Sequence, residues 1–364
     1  MLFLIWASVA CLQCDLNVGH KNGGPFIDLD FSVVAKDLER MATYNDAGAY
    51  YSIAMDGYEI RPFDASRPAN WPFFPLHPTL WHAASLVFGQ SPLVGVILAN
   101  VYFFFALILL HRCCSVLGYD DEVADGALRI LAFFPTSYFF SLPWSESLFL
   151  LVTCATVYAA MTRRWLWLGL LGIAACGCRL SGLFLCVSLL VWLWTQRHDV
   201  PRRAWIVVAA MPIGLLVFMA ILYRDTGNAF AFIDIQSVWA RHFELPIRAL
   251  GVVLVKPWVL ASSGNLRHWN FLVFVAGFAG AYWFTLKRRQ AWMGLYLATS
   301  LLTPALTGSI ASISRYGMAL FPLSLYLGYL MKDRTTERVL LIVSAALFAL
   351  MAVAFQLQIS FAGV

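Results

Sequence analysis

PLVGVILANVYFFFALILL, from Pro92 to Leu110, holds no charged residue and is about the length needed to cross a bilayer as a helix. Similar uncharged runs fill Ala204–Tyr223, Trp269–Leu286, Trp292–Ser314, Tyr316–Met331 and Val339–Ala362. Shorter ones occupy Ile130–Pro143, Ser147–Thr162, Trp165–Cys178 and Leu180–Gln196. Of the 364 residues, 61% are hydrophobic and only 12% charged, about half the charged share of a soluble domain. A soluble protein of this length could not cover so much apolar surface, because much of its exterior must face water. The pattern predicts an all-α polytopic membrane protein.

Two further runs, Pro72–Phe88 and Ala249–Ser263, are ambiguous, and positive charge decides them. Cytoplasmic loops collect Lys and Arg. If neither run spans, five connections fall on one side of the membrane. They carry His111 with Arg112, Arg163 with Arg164, Arg197 with Arg202 and Arg203, Lys287–Arg289, and Lys332 with Arg334 and Arg338. The short opposite connections hold only Arg179 and Arg315. The expected topology is therefore about eleven spans in a single integral-membrane domain covering residues 1–364. Its N-terminus is inside, with a first outer loop at about 15–91 and a second at about 224–268. The net charge of +5 is dispersed in these clusters, so it does not indicate a nucleic-acid partner.

The start of the chain, Met1 to Cys14, is apolar but short and has no basic residue before it. It could be the apolar region of a signal peptide or a lipoprotein-type cleavage site before Cys11. The favoured reading is a first membrane helix that is clipped or misassigned at its start. Cys11 and Cys14 have CxxC spacing without a second ligand pair, and most other cysteines lie in apolar runs, where a free thiol behaves as a small hydrophobe.

The charges left on the outer side are few. Glu146, Arg179 and Arg315 sit at expected outer helix ends with little polar sequence around them. Ionisable groups at membrane level are costly and often functional, although Arg can also snorkel to the headgroups. In the first outer loop, YNDAGAYYSIAMDGY (Tyr44–Tyr58) has apolar residues at helical spacing from Tyr50, with Asp46 or Asn45 as the helix N-cap. WPFFPLHP (Trp71–Pro78) reads as a turn, and Leu80–Phe88 as an interfacial helix behind it. No Walker loop, GxGxxG or HExxH is present, and neither are the paired broken helices of many transporters.

Six segments in order resemble one family. They are YNDAGAYYSIA (Tyr44–Ala54) with DGY (Asp56–Tyr58); FFPLHP (Phe73–Pro78); FFPTSYFFS (Phe133–Ser141) running into WSES (Trp144–Ser147); and CRLSG (Cys178–Gly182). YRDTGNAFAF (Tyr223–Phe232) follows, with Gln236, Trp239 and Arg241, and then SRY (Ser314–Tyr316) ahead of Phe321 and Pro322. From about Thr43 to Leu330 the chain resembles the PIG-V-like (GPI mannosyltransferase 2-like) enzymes of the GT-C glycosyltransferase superfamily. It departs from them at Tyr44 and Asn45, where the family has Arg-Trp, and at Leu180, where it has Pro.

The resemblance implies a GT-C bundle that moves a sugar, mannose by family name, from a polyprenyl- or dolichyl-phosphate donor to a glycan or lipid acceptor. The site would face the periplasm or lumen, in a bacterial inner membrane or the endoplasmic reticulum. Asp46 would be the general base. Arg179 and Arg315, with Arg241 behind them, would face the phosphate. Glu146 could orient an arginine, bind a sugar hydroxyl, or simply pair with Arg179 or Arg315. Gln236 and Trp239 could contact sugar or pack the loop. No dense carboxylate cluster argues for a metal, although Asp46 and Asp56 share a loop and leave a divalent ion possible. The rival expectation is a multi-pass transporter or lipid flippase.

Overall fold

A computed structural model describes residues 39–239, 241–246, 251, 267–307, 310 and 312–356. The Met1–Cys14 segment and nearly all of Ala249–Ser263 lie outside the described residues. Among those residues the chain is a helical bundle: α1 Asp46–Asp56, α2 Leu76–Phe88, α3 Leu93–Val116, α4 Asp121–Phe133, α5 Glu146–Met161, α6 Trp165–Cys178, α7 Ser181–Thr195 and α8 Arg202–Ala209. The order continues with α9 Ile213–Thr226, α10 Ala231–Asp234, α11 Arg267–Tyr282, α12 Ala291–Ala305, α13 Ile313–Met318, α14 Phe321–Leu330 and α15 Arg334–Gln356.

Four helical stretches among the described residues are long and apolar enough to cross a membrane: Leu93–Val116, Arg202–Thr226, Trp269–Lys287 and Arg334–Phe355. Shorter apolar helices at Glu146–Met161, Trp165–Cys178, Ser181–Thr195 and Phe321–Leu330 pack among them. Phe104 and Phe105 on α3, Leu166 and Trp167 on α6, and Ile342 on α15 point outward, as lipid-facing residues do. Close helix contact comes from small residues: a Cβ on Gly328 of α14 would stand 2.5 Å from the Val123 carbonyl oxygen of α4.

Three expected spans differ from what forms. No single helix covers Ile130–Pro143. Asp120 caps α4, its carboxylate accepting from the Val123 N–H at 3.0 Å. Pro135 then disfavours helix at Phe134, and Ser137–Ser141 make a 3₁₀ turn. The run Trp292–Ser314 breaks after Ala305, with Pro304 in the last turn of α12. The run Tyr316–Met331 divides into α13 and α14, with Pro322 at the start of the latter. Arg315 therefore lies on a short separate helix rather than at the end of a span.

In the segment 72–88 a helix of 13 residues forms, and it begins at Leu76 rather than Leu80. Pro78 is accommodated because the first turn lacks intrahelical acceptors for its N–H groups anyway. The first loop is tied to the end of α9, where the Phe63 N–H donates to the Thr226 carbonyl at 2.9 Å.

The two ends of the bundle differ. The turns carrying Arg163, Arg197, Lys287 and Lys332 join the ends of helices whose opposite ends meet near Glu146 and Arg179. At the basic end Lys332 pairs with Asp120 at 2.7 Å, and Arg288 donates to the Gly118 carbonyl at 3.2 Å.

Candidate active site

Asp46 is the first residue of α1, and Asn45 takes the N-cap position with φ 54° and ψ −130°. Positive φ is uncommon outside Gly, Asn being among the residues that adopt it most readily, and here it turns the chain sharply into the helix. Neither side chain caps the helix. The Asp46 carboxylate instead accepts from Arg315 Nη1 at 2.9 Å, across 269 residues of sequence, and stays 35% exposed.

Arg315 also holds Glu146, the opening residue of α5, with Nε 3.3 Å from Oε1. The same Oε1 lies 2.9 Å from Nη1 of Arg179, which caps the C-terminus of α6 ahead of α7. Glu146 thus pairs with both arginines. The result is an alternating chain, Arg179–Glu146–Arg315–Asp46, buried at its inner links Glu146 and Arg315 and open at Asp46. Burying isolated charges would be prohibitive, and alternation of sign is what makes the arrangement tolerable.

Aromatic rings fix the guanidinium planes. Arg315 lies 4.5 Å over the Trp144 ring and 4.7 Å over that of Tyr316, and Arg179 lies 4.9 Å over Tyr316. The Tyr316 hydroxyl accepts from Arg315 Nη2 at 2.9 Å. The turn presenting Trp144 and Glu146 is pinned from the first loop: the Tyr50 hydroxyl donates to Ser145 Oγ at 2.8 Å, and His77 Nε2–H donates to the Pro143 carbonyl at 3.0 Å. Burial lowers the His77 pKa to about 4, so the ring is neutral at ordinary pH.

A cavity of about 940 Å³ opens over this chain, lined by Asp46, Arg179, Trp239, Arg241, Arg315 and Tyr316, with Gln236 beside them. Arg241 Nη1 donates to Gln236 Oε1 at 3.3 Å. Of the sequence-predicted base and substrate-binding candidates, all but Glu146 line the cavity. Asp56 does not: it ends the helix that Asp46 begins, about 15 Å along the axis. The two carboxylates cannot share one ion, and among the described residues no group of three His, Cys, Asp or Glu could hold a metal. The six cysteines within the described residues are free and buried. Sequence reading passed over Tyr50, Trp144 and Ser145, and gave Tyr316 no role of its own. The one available signal was aromatic residues flanking the candidate charges, Trp144 before Glu146 and Tyr316 after Arg315.

Residues 72–235 match the profile of a family described as Mannosyltransferase (PIG-V). The chain is a membrane glycosyltransferase, and its residues 72–235 are similar to the PIG-V mannosyltransferases. The matched stretch takes in Glu146 and Arg179 but ends before Gln236 and excludes Asp46 and Arg315, so it is shorter than the resemblance running from Thr43 to Leu330. In fold the glycosyltransferase is similar to ArnT from Cupriavidus metallidurans, solved bound to undecaprenyl phosphate. The TM-score is 0.50 at 12% identity, covering 100% of this chain and 75% of that one. A lower similarity, TM-score 0.44 at 12% identity, relates it to an oligosaccharyltransferase from Archaeoglobus fulgidus tethered with an acceptor peptide, covering 100% of this chain and 53% of that one. The ArnT likeness identifies the fold as GT-C-type. No curated protein matches the sequence.

Proposed function

We propose that this glycosyltransferase moves a hexose, mannose by its family, from a polyprenyl- or dolichyl-phosphate carrier to a hydroxyl of a glycan or lipid acceptor, with Asp46 as general base. The observation that carries this reading is the Asp46 carboxylate, held at 2.9 Å by Arg315 and still open to a cavity rimmed by guanidinium groups.

Asp46 takes the proton of the acceptor hydroxyl as that oxygen attacks the anomeric carbon. The bond from that carbon to the phosphate oxygen breaks, and its electron pair leaves with the phosphate. Arg315 holds the base in place before the attack. Positive charge from Arg179, Arg315 and Arg241 meets the negative charge that develops on the leaving group, and fixed dipoles and charges serve there without reorganisation. Glu146 keeps Arg179 and Arg315 in position, and Gln236 holds Arg241. Undecaprenyl phosphate in the ArnT structure is of the same chemical class as the product carrier in this scheme.

In this reading the site faces the periplasm or the lumen, with residues 15–91 and 224–268 as outer loops. Support comes from the basic turns, which cluster at the opposite end of the bundle. Labelling of single cysteines placed at Asp46 and Arg288 from each side of sealed membranes tests the sidedness.

The activity test is incubation of the purified protein in liposomes with labelled polyprenyl-phosphate mannose and extracted acceptor lipids or glycans. A labelled covalent product is expected. Movement of the intact labelled lipid between leaflets, with no new product, would instead establish the flippase reading.

A further inference from the structure

Tyr316 has no part in the proton transfer just described, yet the cations of the site converge on it. Its hydroxyl accepts from Arg315 Nη2 at 2.9 Å, and the guanidinium groups of Arg179 and Arg315 lie 4.9 and 4.7 Å from its ring centre. The residue is only partly buried and lines the cavity. A phenol that accepts from a guanidinium still has its own proton to give, and a hydrogen bond received from a cation strengthens the one donated. Among the described residues that proton meets no acceptor.

The charges around it are unevenly committed. Arg179 and Arg315 are matched by Glu146 and Asp46, two against two. Arg241 pairs with no carboxylate among the described residues and bonds only to the neutral Gln236. An anion entering the cavity therefore finds one uncommitted guanidinium and one polarised hydroxyl. Although burial pushes the Tyr316 pKa up, Arg315, Arg241 and Arg179 together hold it below the ordinary phenol value, which marks the spot as favourable for negative charge.

We propose that Tyr316 is a ligand of the donor phosphate: its hydroxyl donates to a phosphate oxygen beside Arg241, and this bond tightens as the leaving group gains charge. The assignment rests on the glycosyl-transfer reading above. No proton leaves Tyr316. The acceptor proton goes to Asp46, the anomeric carbon–oxygen bond to phosphate breaks, and the departing electron pair is stabilised by the phenol and the guanidinium.

Tyr316→Phe keeps the ring over which both arginines stack and removes only the hydroxyl, so the packing role and the ligand role separate. Two measurements are compared with the wild type in detergent. The first is kcat/KM for a polyprenyl-phosphate sugar, expected to fall about 10–100-fold, the worth of a hydrogen bond to a charged group. The second is the rise in melting temperature on adding free polyprenyl phosphate, expected to shrink in the variant, with no difference for uncharged polyprenol. Wild-type kcat/KM together with a wild-type melting shift in Tyr316→Phe would overturn the assignment while leaving the glycosyl-transfer reading intact. A wild-type protein that neither turns over the phosphate-linked sugar nor gains stability from polyprenyl phosphate would overturn both.

Discussion

Ion pairs hold both ends of this bundle, at nearly equal distances and with opposite consequences. Lys332 meets Asp120 at 2.7 Å with side chains 36% and 56% exposed. Arg179 meets Glu146 at 2.9 Å with side chains 17% and 3% exposed. At the basic end water solvates each partner, so the pair changes little when made or broken. At the site end the charges have left water, and each depends on its neighbour for solvation. The first arrangement suits topology and helix ends. The second is expensive and does not improve packing, and it places a carboxylate and several guanidinium groups around one cavity. Distance alone would have ranked the two ends alike; burial separates them.

The sharpest way to break that contrast is Glu146→Gln. It removes the charge shared by Arg179 and Arg315 and leaves two buried cations with one carboxylate. A loss of about 3–5 kcal/mol in folding stability is expected, seen as a collapse of monodisperse yield together with activity. A Glu146→Gln protein that purifies normally and transfers sugar at the wild-type rate would show that the buried chain is no more consequential than the exposed pairs.

Arg315→Lys is milder. It keeps the charge but not the planar fork that serves Asp46, Glu146 and Tyr316 at once. Turnover is expected to drop about 10–100-fold, the equivalent of one or two charge-assisted hydrogen bonds, with melting temperature changed much less.

The turn behind the site gives a pH-dependent test. His77 is neutral when folded, with its pKa lowered from 6.5 to about 4 by burial. The unfolded chain takes up that proton first as pH falls. Stability from this residue is thus fully present above about pH 6.5, declines between there and about pH 4, and levels off below. Melting curves across this window should show the decline for the wild type and a flatter profile for His77→Gln, which keeps a donor for the Pro143 carbonyl. Equal slopes would remove His77 from the account.

At the small end of the scale, Lys332→Ala breaks contacts with Asp120 and Glu122 that water already competes for. An essentially unchanged melting temperature and unaltered turnover are expected. A large loss of activity would mean that the basic end is coupled to the site.

Much of the architecture was legible because bilayer physics imposes long apolar runs and because basic residues mark one side. The exclusion of Pro72–Phe88 from the spans came from that charge count, and the helix that forms there, Leu76–Phe88, has only 13 residues. Errors arose where a local stop signal competes with hydrophobicity. Ile130–Pro143 is uncharged throughout, but the Asp120 cap and Pro135 set the real limits of α4 at Asp121 and Phe133. The end of α12 at Ala305 hid in the same way, inside an uncharged run whose stop signals are Pro304 and the Thr307-Gly308-Ser309 that follows.

The candidate charges were legible one by one, because isolated ionisable residues stand out in apolar sequence. Their order in space was not. Asp46 and Arg315 are 269 residues apart, and nothing in either segment names the other. Glu146 lies 33 residues before Arg179 in the chain, and which arginine it would take was open because both turns come to the same end of the bundle. Tyr316 was overlooked for a related reason: its role depends on converging guanidinium groups rather than on its own neighbours in sequence.

Replacing Asp46 with Asn tests the central claim most directly, because it keeps the size of the side chain and an oxygen for Arg315 while removing the basic carboxylate. In single-turnover assays with a labelled polyprenyl-phosphate sugar, Asp46→Asn should bind the donor and form product at least about 100-fold more slowly than the wild type, the lower range for loss of a general base. Product formation at the wild-type rate would show that Asp46 is not the base and that the buried chain holds it for some other purpose.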